Sequence, residues 1–351
     1  MGIDDGRGTA SALGPDPLRG RSGQTPLRSE AGVAAVIEAW VTGRPHPEHS
    51  SIAFVQEEGA AVPEPSASGA VIAPVGHAAG SGTVIEYEGR FAELGDEMTI
   101  AGRTLELQDY AAAGFIEVIG PMVVRLGDAS GWRALVEDAD LAREEGAFPA
   151  HLLHPSVLLG ERWSFLSEAS GRPRAARPVF SAGAPPAAAP EGVPLASEAD
   201  SPVVQAFGGV VEPARIASDL AARPWMGRYI AATELLRRTG RGHRARIVGL
   251  GTSLLGGAAG DREVPVDAPF VSSVEGEWLL EDLVSRRRFR ISTEAATIVE
   301  AVLTSTTGER AVELVARVLG LSSSDAAERT AEVAAQLAAV SGASGTPAAA
   351  S

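Results

Sequence analysis

The 351-residue chain contains no Cys, no Lys and no Asn. Without Cys there is no thiol nucleophile, no disulfide, no iron–sulfur cluster and no thiolate zinc site. Without Lys there is no Schiff-base lysine, no phosphate-loop lysine and no kinase-type lysine. Lys and Asn have AT-rich codons, so their absence, with the excess of Ala, Gly and Arg, points to a GC-rich coding sequence. Aromatic residues make up only 5% of the chain and the apolar share is mostly Ala, which predicts a thin core with closely packed helices. No window holds the roughly 18 consecutive apolar residues of a membrane helix, and residues 1–30 carry no apolar signal-peptide core. These features predict a cytoplasmic chain without a membrane partner. The formal charge is -15, and so acidic a chain repels phosphate backbones unless it holds a strong local basic patch.

What is present divides the chain into stretches. Residues 1–30 are rich in Gly, Pro, Arg and Ser, lack a periodic apolar pattern and read as a disordered leader. Residues 31–168 read as a mixed α/β domain. It opens with a helix over 31–42 carrying Val33, Val36, Ile37 and Trp40 at helical spacing. Residues 61–81 are Pro-, Gly- and Ala-rich and read as a loop. From Thr83 the runs TVIEYEG, DEMTI, RTLELQ, GFIEVIG and PMVVRLG are split by Gly- or Asp-bearing turns, the pattern of an antiparallel meander. A helix capped by Ser130 follows, to about Glu145. Residues 169–202 (GRPRAARP, GAPPAAAPEGVP) read as a linker or long loop, and residues 203–260 as a mainly helical region.

The clearest pattern spans residues 262–341. Strand-like runs at 270–274 and 278–283 flank Glu275-Gly276, a hairpin turn. A third strand follows at 287–291, with Phe289 and Ile291 on one face and Arg288 and Arg290 on the other. Ser292 or Thr293 can cap a helix with Ile298 and Val302 on one face. A second helix covers 309–319, and the capping-box match Ser322-Ser323-Ser324-Asp325 opens a third with Val333, Leu337 and Val340 inward. The order is β-β-β-α-α-α, so the fold class expected is α+β: a winged-helix-type β3α3 domain after a mixed α/β N-terminal region.

The stretch PFVSSVEGEWLLEDLVSRRRFRISTEAATIVEAVL, with ELVARVLGL and the last amphipathic helix, resembles the PqqD-like RiPP recognition element, a domain that binds leader peptides of ribosomally made precursors. The resemblance covers about the final quarter of the chain. Ser292 stands where that family often has Asn. The resemblance implies a leader peptide added as a strand beside the third strand and lying against the third helix. Carried onto this sequence, the strand edge is Arg287, Arg288, Phe289, Arg290 and Ile291, and the helical wall is Thr330, Val333, Ala334 and Leu337. Arg286, Arg287, Arg288 and Arg290 supply charge that could steer an acidic leader. The competing reading makes Phe289, Ile291, Val333 and Leu337 simple core and the arginines a solvated edge.

A long N-terminal region before such a domain is similar to the stand-alone recognition proteins of daptide-type clusters. That resemblance implies a non-catalytic scaffold for antibiotic-type peptide maturation, with no cofactor. Its partners would be the precursor peptide and modifying enzymes, among them an oxidative decarboxylase, an aminotransferase and a methyltransferase. Two alternatives belong to other classes. A winged-helix DNA-binding regulator is opposed by the charge of residues 262–340, where 8 Arg face 13 Asp and Glu. An enzyme with its site in residues 83–168 would draw on His151 and His154, three apart in HLLHP, although no third metal ligand is assignable and Pro155 limits the helix. Gly249-Leu250-Gly251 hints at a dinucleotide loop, but Leu254 replaces the third glycine and no βαβ unit surrounds it. Ser253 lacks a GxSxG frame. Trp163 and Trp225 fit either a core or an interface anchor.

Overall fold

The computed structural model describes residues 30–56, 69–76, 83–171, 179–180, 201–240, 245–258, 260–283 and 287–340. The disordered-leader reading of residues 1–29 and most of the linker reading of 169–202 lie outside them. The chain is mixed α/β, with helices and two sheets.

The larger sheet begins after helix α1 (Glu30–Thr42) with β1 (Ser51–Val55), β2 (Gly69–Pro74), β3 (Thr83–Gly89), β4 (Glu97–Ile100) and β5 (Arg103–Asp109). Helix α2 (Tyr110–Ala113) leads to β6 (Met122–Arg125), then to α3 (Ala129–Glu145), α4 (Ala150–Leu153), β7 (Val157–Leu159), α5 (Arg162–Ser170) and β8 (Val179–Phe180). The strand order is β7-β6-β5-β4-β3-β2-β1-β8. Only β3–β4 and β4–β5 are antiparallel; β1–β2, β2–β3, β1–β8, β5–β6 and β6–β7 are parallel. The antiparallel meander expected over this region is therefore confined to β3–β5. There the connections are short: Ala101 (φ 48°) and Gly102 (φ 74°) form the two-residue turn between Ile100 and Arg103, the left-handed pair that matches strand twist.

Two further expectations are corrected. Residues 69–74, expected as loop, form β2, whose run GAVIAP is buried almost throughout, as a strand covered on both faces must be. The run GFIEVIG alternates like a strand but is not one. β5 and β6 are adjacent and parallel, so the segment joining them must travel back over the sheet rather than take a place within it. Only its Val118 packs partly against the core, and two other apolar side chains point outward: Phe115 is 93% and Ile119 92% exposed.

One face of the large sheet is covered by α1, where Trp40 stacks on Phe54 at 4.3 Å and Phe54 on Tyr87 at 5.2 Å. On the other face, Met122, Val124, Val157 and Leu159 pack with α3 and the helices α6 (Pro202–Phe207), α7 (Pro213–Ala222) and α8 (Met226–Thr239). The cap of α3 is Asp128 rather than Ser130: its Oδ1 accepts the N–H groups of Ser130 and Gly131 at 2.8 and 3.0 Å. The Trp132 indole donates to Asp219 at 2.9 Å and ties α3 to α7.

The second sheet has the order β10-β9-β11-β12-β13, from β9 (Ala245–Val248), β10 (Gly251–Thr252), β11 (Phe270–Val274), β12 (Glu277–Glu281) and β13 (Arg288–Ile291). Glu275 (φ 53°) and Gly276 (φ 88°) make the β11–β12 turn. Three helices follow: α9 (Thr293–Leu303), α10 (Gly308–Leu319) and α11 (Ser323–Val340). Ser292 caps α9 through its hydroxyl, which accepts from Ala295 N–H at 3.1 Å. Residues 245–252, which carry the strand-like run RIVGLG at the end of the mainly helical region, add two strands to the C-terminal sheet. Their Gly249 (φ 86°) is a turn between β9 and β10, not the start of a phosphate loop.

This sheet is covered on both faces. Val271, Leu280 and Val248 face α9 and α11, while Ala245, Ile247 and Phe270 are buried with α8 in the core of the N-terminal part. Arg228 of α8 crosses that boundary. Its guanidinium lies 3.6 Å from the centre of the Phe270 ring and donates to the carbonyls of Pro265 (3.2 Å), Ala268 and Pro269 (2.9 Å). Burial pulls its pKa down to about 9. Gly251 supplies a second weld: a Cβ there would stand 1.9 Å from the backbone N of Gly146 at the end of α3. The two parts are one packed body.

Candidate functional site

The strand β13 pairs with β12 and ends the sheet. Asp282 N–H donates to Arg287 C=O at 3.0 Å, which makes that pair a hydrogen-bonded one in the antiparallel ladder. Alternation then directs the backbone groups of Phe289 and Ile291 toward β12, and those of Arg288 and Arg290 outward. Arg288 and Arg290 therefore carry the backbone donors and acceptors that a further strand would meet.

The side chains divide as the period of two requires. Phe289 and Ile291 lie opposite Leu280 and Trp278 on the helix-covered face. Ile291, Val333 and Leu337 share one apolar cluster, so the structure does bring the third strand and the third helix together. Their roles differ. Leu337 and Thr330 are buried, at 8% and 6% exposure, and Leu337 packs in the core with α9; among the described residues the Thr330 hydroxyl has no hydrogen-bond partner. Val333, Ala334 and Ile291 are half-buried, and Phe289 is 40% exposed. The apolar surface left accessible beside β13 is Phe289 with the flanks of Ile291, Val333 and Ala334.

The arginines are more committed than their count suggests. Arg288 Nε donates to Glu281 Oε1 at 2.7 Å, and the buried Glu281 also accepts from Ser272 Oγ at 2.7 Å. Arg290 pairs with Glu277 at 3.0 Å, both side chains being more than half exposed; such a pair contributes little and is readily exchanged. Arg287 is exposed, and Arg286 lies outside the described residues.

His151 is buried edge-on against Tyr110, at 5.1 Å between rings, and burial depresses its pKa to about 4. The Nδ1 of His154 instead accepts from Ser156 N–H at 3.3 Å. Among the described residues no three metal-ligating side chains converge. Tyr110 donates to Asp138 at 2.7 Å; desolvation raises the tyrosine pKa well above its usual value and raises that of Asp138. Glu300 of α9 accepts from Ser253 Oγ (2.7 Å) and Leu254 N–H (2.6 Å), and its pKa is raised by burial. It fixes the loop after β10, which is what the Gly249–Ser253 segment does here. Trp225 lies under Arg143 at 5.7 Å, whereas Trp163 is half-buried and lines a cavity with residues that flank β11 and β12. That juxtaposition had no local signal, since its partners lie about a hundred residues away.

No family model, no curated protein and no solved structure matches the chain. Among the described residues, no helix is long and apolar enough to cross a membrane.

Proposed function

We propose that the chain is a non-catalytic recognition protein that holds the leader of a ribosomally made precursor peptide as an added strand on β13. The domain formed by β11–β13 and α9–α11 would then be of the winged-helix type expected from sequence. The supporting observation is the edge of β13, which pairs with no further strand among the described residues. The outward backbone groups of Arg288 and Arg290 stand beside a 40%-exposed Phe289 and the half-buried Val333 and Ala334 of α11. Main-chain pairing supplies affinity in such an arrangement and the apolar flank selects side chains. An acidic leader would exchange with Glu277 for Arg290. Holding the leader raises the local concentration of the core peptide at enzymes docked elsewhere on the protein, in the cytoplasm and with a decarboxylase, aminotransferase and methyltransferase as the partners of a daptide-type pathway.

The test is fluorescence polarisation of the full chain against labelled peptides synthesised from short reading frames beside the gene. A fragment beginning at residue 262 would lose β9 and uncover Phe270, so the whole chain is used. Phe289→Glu is expected to weaken binding at least about tenfold, as loss of an interface anchor does, with an unchanged unfolding midpoint because the side chain is already part-exposed. Absence of any peptide binding by the wild-type chain overturns the proposal.

A further inference from the structure

At the end of the second sheet where β11 starts and β12 ends, a cavity of 180 Å³ lies between helices α5 and α8 and the segments that enter β11 and leave β12. Its apolar wall is Trp163 and Leu166 from α5, Val266 from the segment entering β11, and Leu283 just past β12. All four are half-buried side chains facing space that no described residue fills. The volume is below the roughly 300–1,000 Å³ of a cofactor or small-molecule pocket. It suits one leucine- or phenylalanine-sized side chain.

The charge around it is asymmetric. Arg44, Arg162 and Arg238 line the cavity with Glu234 and Asp267. The buried Arg162 is held by Glu38 at 3.0 Å and by Glu234, and Glu234 also receives Arg237 at 3.0 Å. Glu234 is therefore spent within the protein. Arg44, by contrast, is exposed and forms no ion pair among the described residues. The rim presents a base that a carboxylate in a ligand could meet.

Position connects this cavity to the edge strand. Leu283 accepts from Arg238 Nη1 at 3.5 Å, and one residue earlier Asp282 N–H takes the carbonyl of Arg287 at the start of β13. We propose that the cavity is an anchor subsite for the bound peptide. A chain paired with β13 runs on past Arg287, buries one large apolar side chain among Trp163, Leu166, Val266 and Leu283, and sets a neighbouring acidic residue against Arg44. The inference rests on the peptide-binding reading above and extends it: half of the recognition surface belongs to the N-terminal part. It gives the welding of the two parts by Arg228 and Gly251 a functional consequence, because the subsite exists only while both walls hold their places.

The experiment uses the full chain and the labelled peptides already described, each peptide scanned with Ala at its apolar positions. Leu166→Trp fills the cavity and Arg44→Glu reverses the rim charge. Both variants are expected to bind about tenfold more weakly. One apolar peptide position should lose affinity on Ala substitution with the wild-type protein and lose none with Leu166→Trp. Unfolding midpoints confirm that Arg44→Glu, an exposed change, leaves the fold intact. If Phe289→Glu abolishes binding while Arg44→Glu and Leu166→Trp bind like wild type, the subsite is refuted and the edge-strand reading stands. If the wild-type chain binds no peptide, both fall together.

Discussion

Replacing Gly251 by Ala should separate the two parts of the molecule. At its φ of +67° an L residue costs about 1–2 kcal/mol. The added Cβ also stands 1.9 Å from Gly146 N, 2.4 Å from Glu145 C and 2.4 Å from Gly146 Cα. These are backbone atoms at the end of α3, which cannot swing aside like a side chain. Relieving the overlap means moving β10 off α3, and overpacking of this kind typically costs a further 1–3 kcal/mol or so. The expected loss is about 2–5 kcal/mol. Gly256 is the control: its φ is +58° and a Cβ there meets nothing within 4 Å. Gly256→Ala should lose only the backbone share, about 1–2 kcal/mol. Urea unfolding followed by tryptophan fluorescence reads both, and hydrogen exchange locates the damage, which should fall on β9–β12 and α3 for Gly251→Ala alone. Equal destabilisation by the two substitutions would refute the close approach and, with it, the account of the chain as one packed body.

Two further outcomes follow from buried polar groups. Arg228→Met removes the donors to Pro265, Ala268 and Pro269 and leaves the buried Pro269 carbonyl and the half-buried Ala268 carbonyl without them. The expected cost is about 3–5 kcal/mol by chemical unfolding, and Arg228→Lys should recover little, because one ammonium cannot reproduce the planar fork. His151 gives a pH dependence of definite sign. Its folded pKa of about 4 lies below the ordinary value of 6.5, so the unfolded chain binds the proton more readily between those values. The stability it confers is complete above pH 6.5 and is lost as pH falls toward 4. His151→Phe should flatten that part of a stability–pH curve; an unchanged slope would show that another group titrates there.

How far the sequence could be read depended on the range of the forces involved. The helices α10 and α11 and the hairpin at Glu275-Gly276 stand where the residues place them, because caps, turn chemistry and apolar period act over a few positions. The edge strand was legible for the same reason: RFRI alternates, and the arginines mark one face. The division of labour on α11 was not. Thr330, Val333, Ala334 and Leu337 share one side of a helix, and only the position of α9 decides that Thr330 and Leu337 are buried while Ala334 is half-open. Likewise GFIEVIG satisfies every local rule for a strand and is excluded from the sheet because β5 and β6 already occupy adjacent places.

The same reasoning explains why the candidate subsite had no sequence signature. Trp163 fitted either a core or an interface anchor, and the difference lies in Val266 and Leu283, which reach it through a fold-level contact and not through spacing. Gly251 and Arg228 also look unremarkable in sequence: one sits in a broken glycine motif, the other in a helix among apolar neighbours. Each becomes necessary because the inner face of the C-terminal sheet, with Ile247 and Phe270, is apolar and must be covered. A free-standing recognition domain could leave that face polar. Here it is buried against α8, so a peptide bound on β13, as proposed, would be held by a rigid body whose far wall is α5, and mutations at the weld should then weaken binding through position rather than contact.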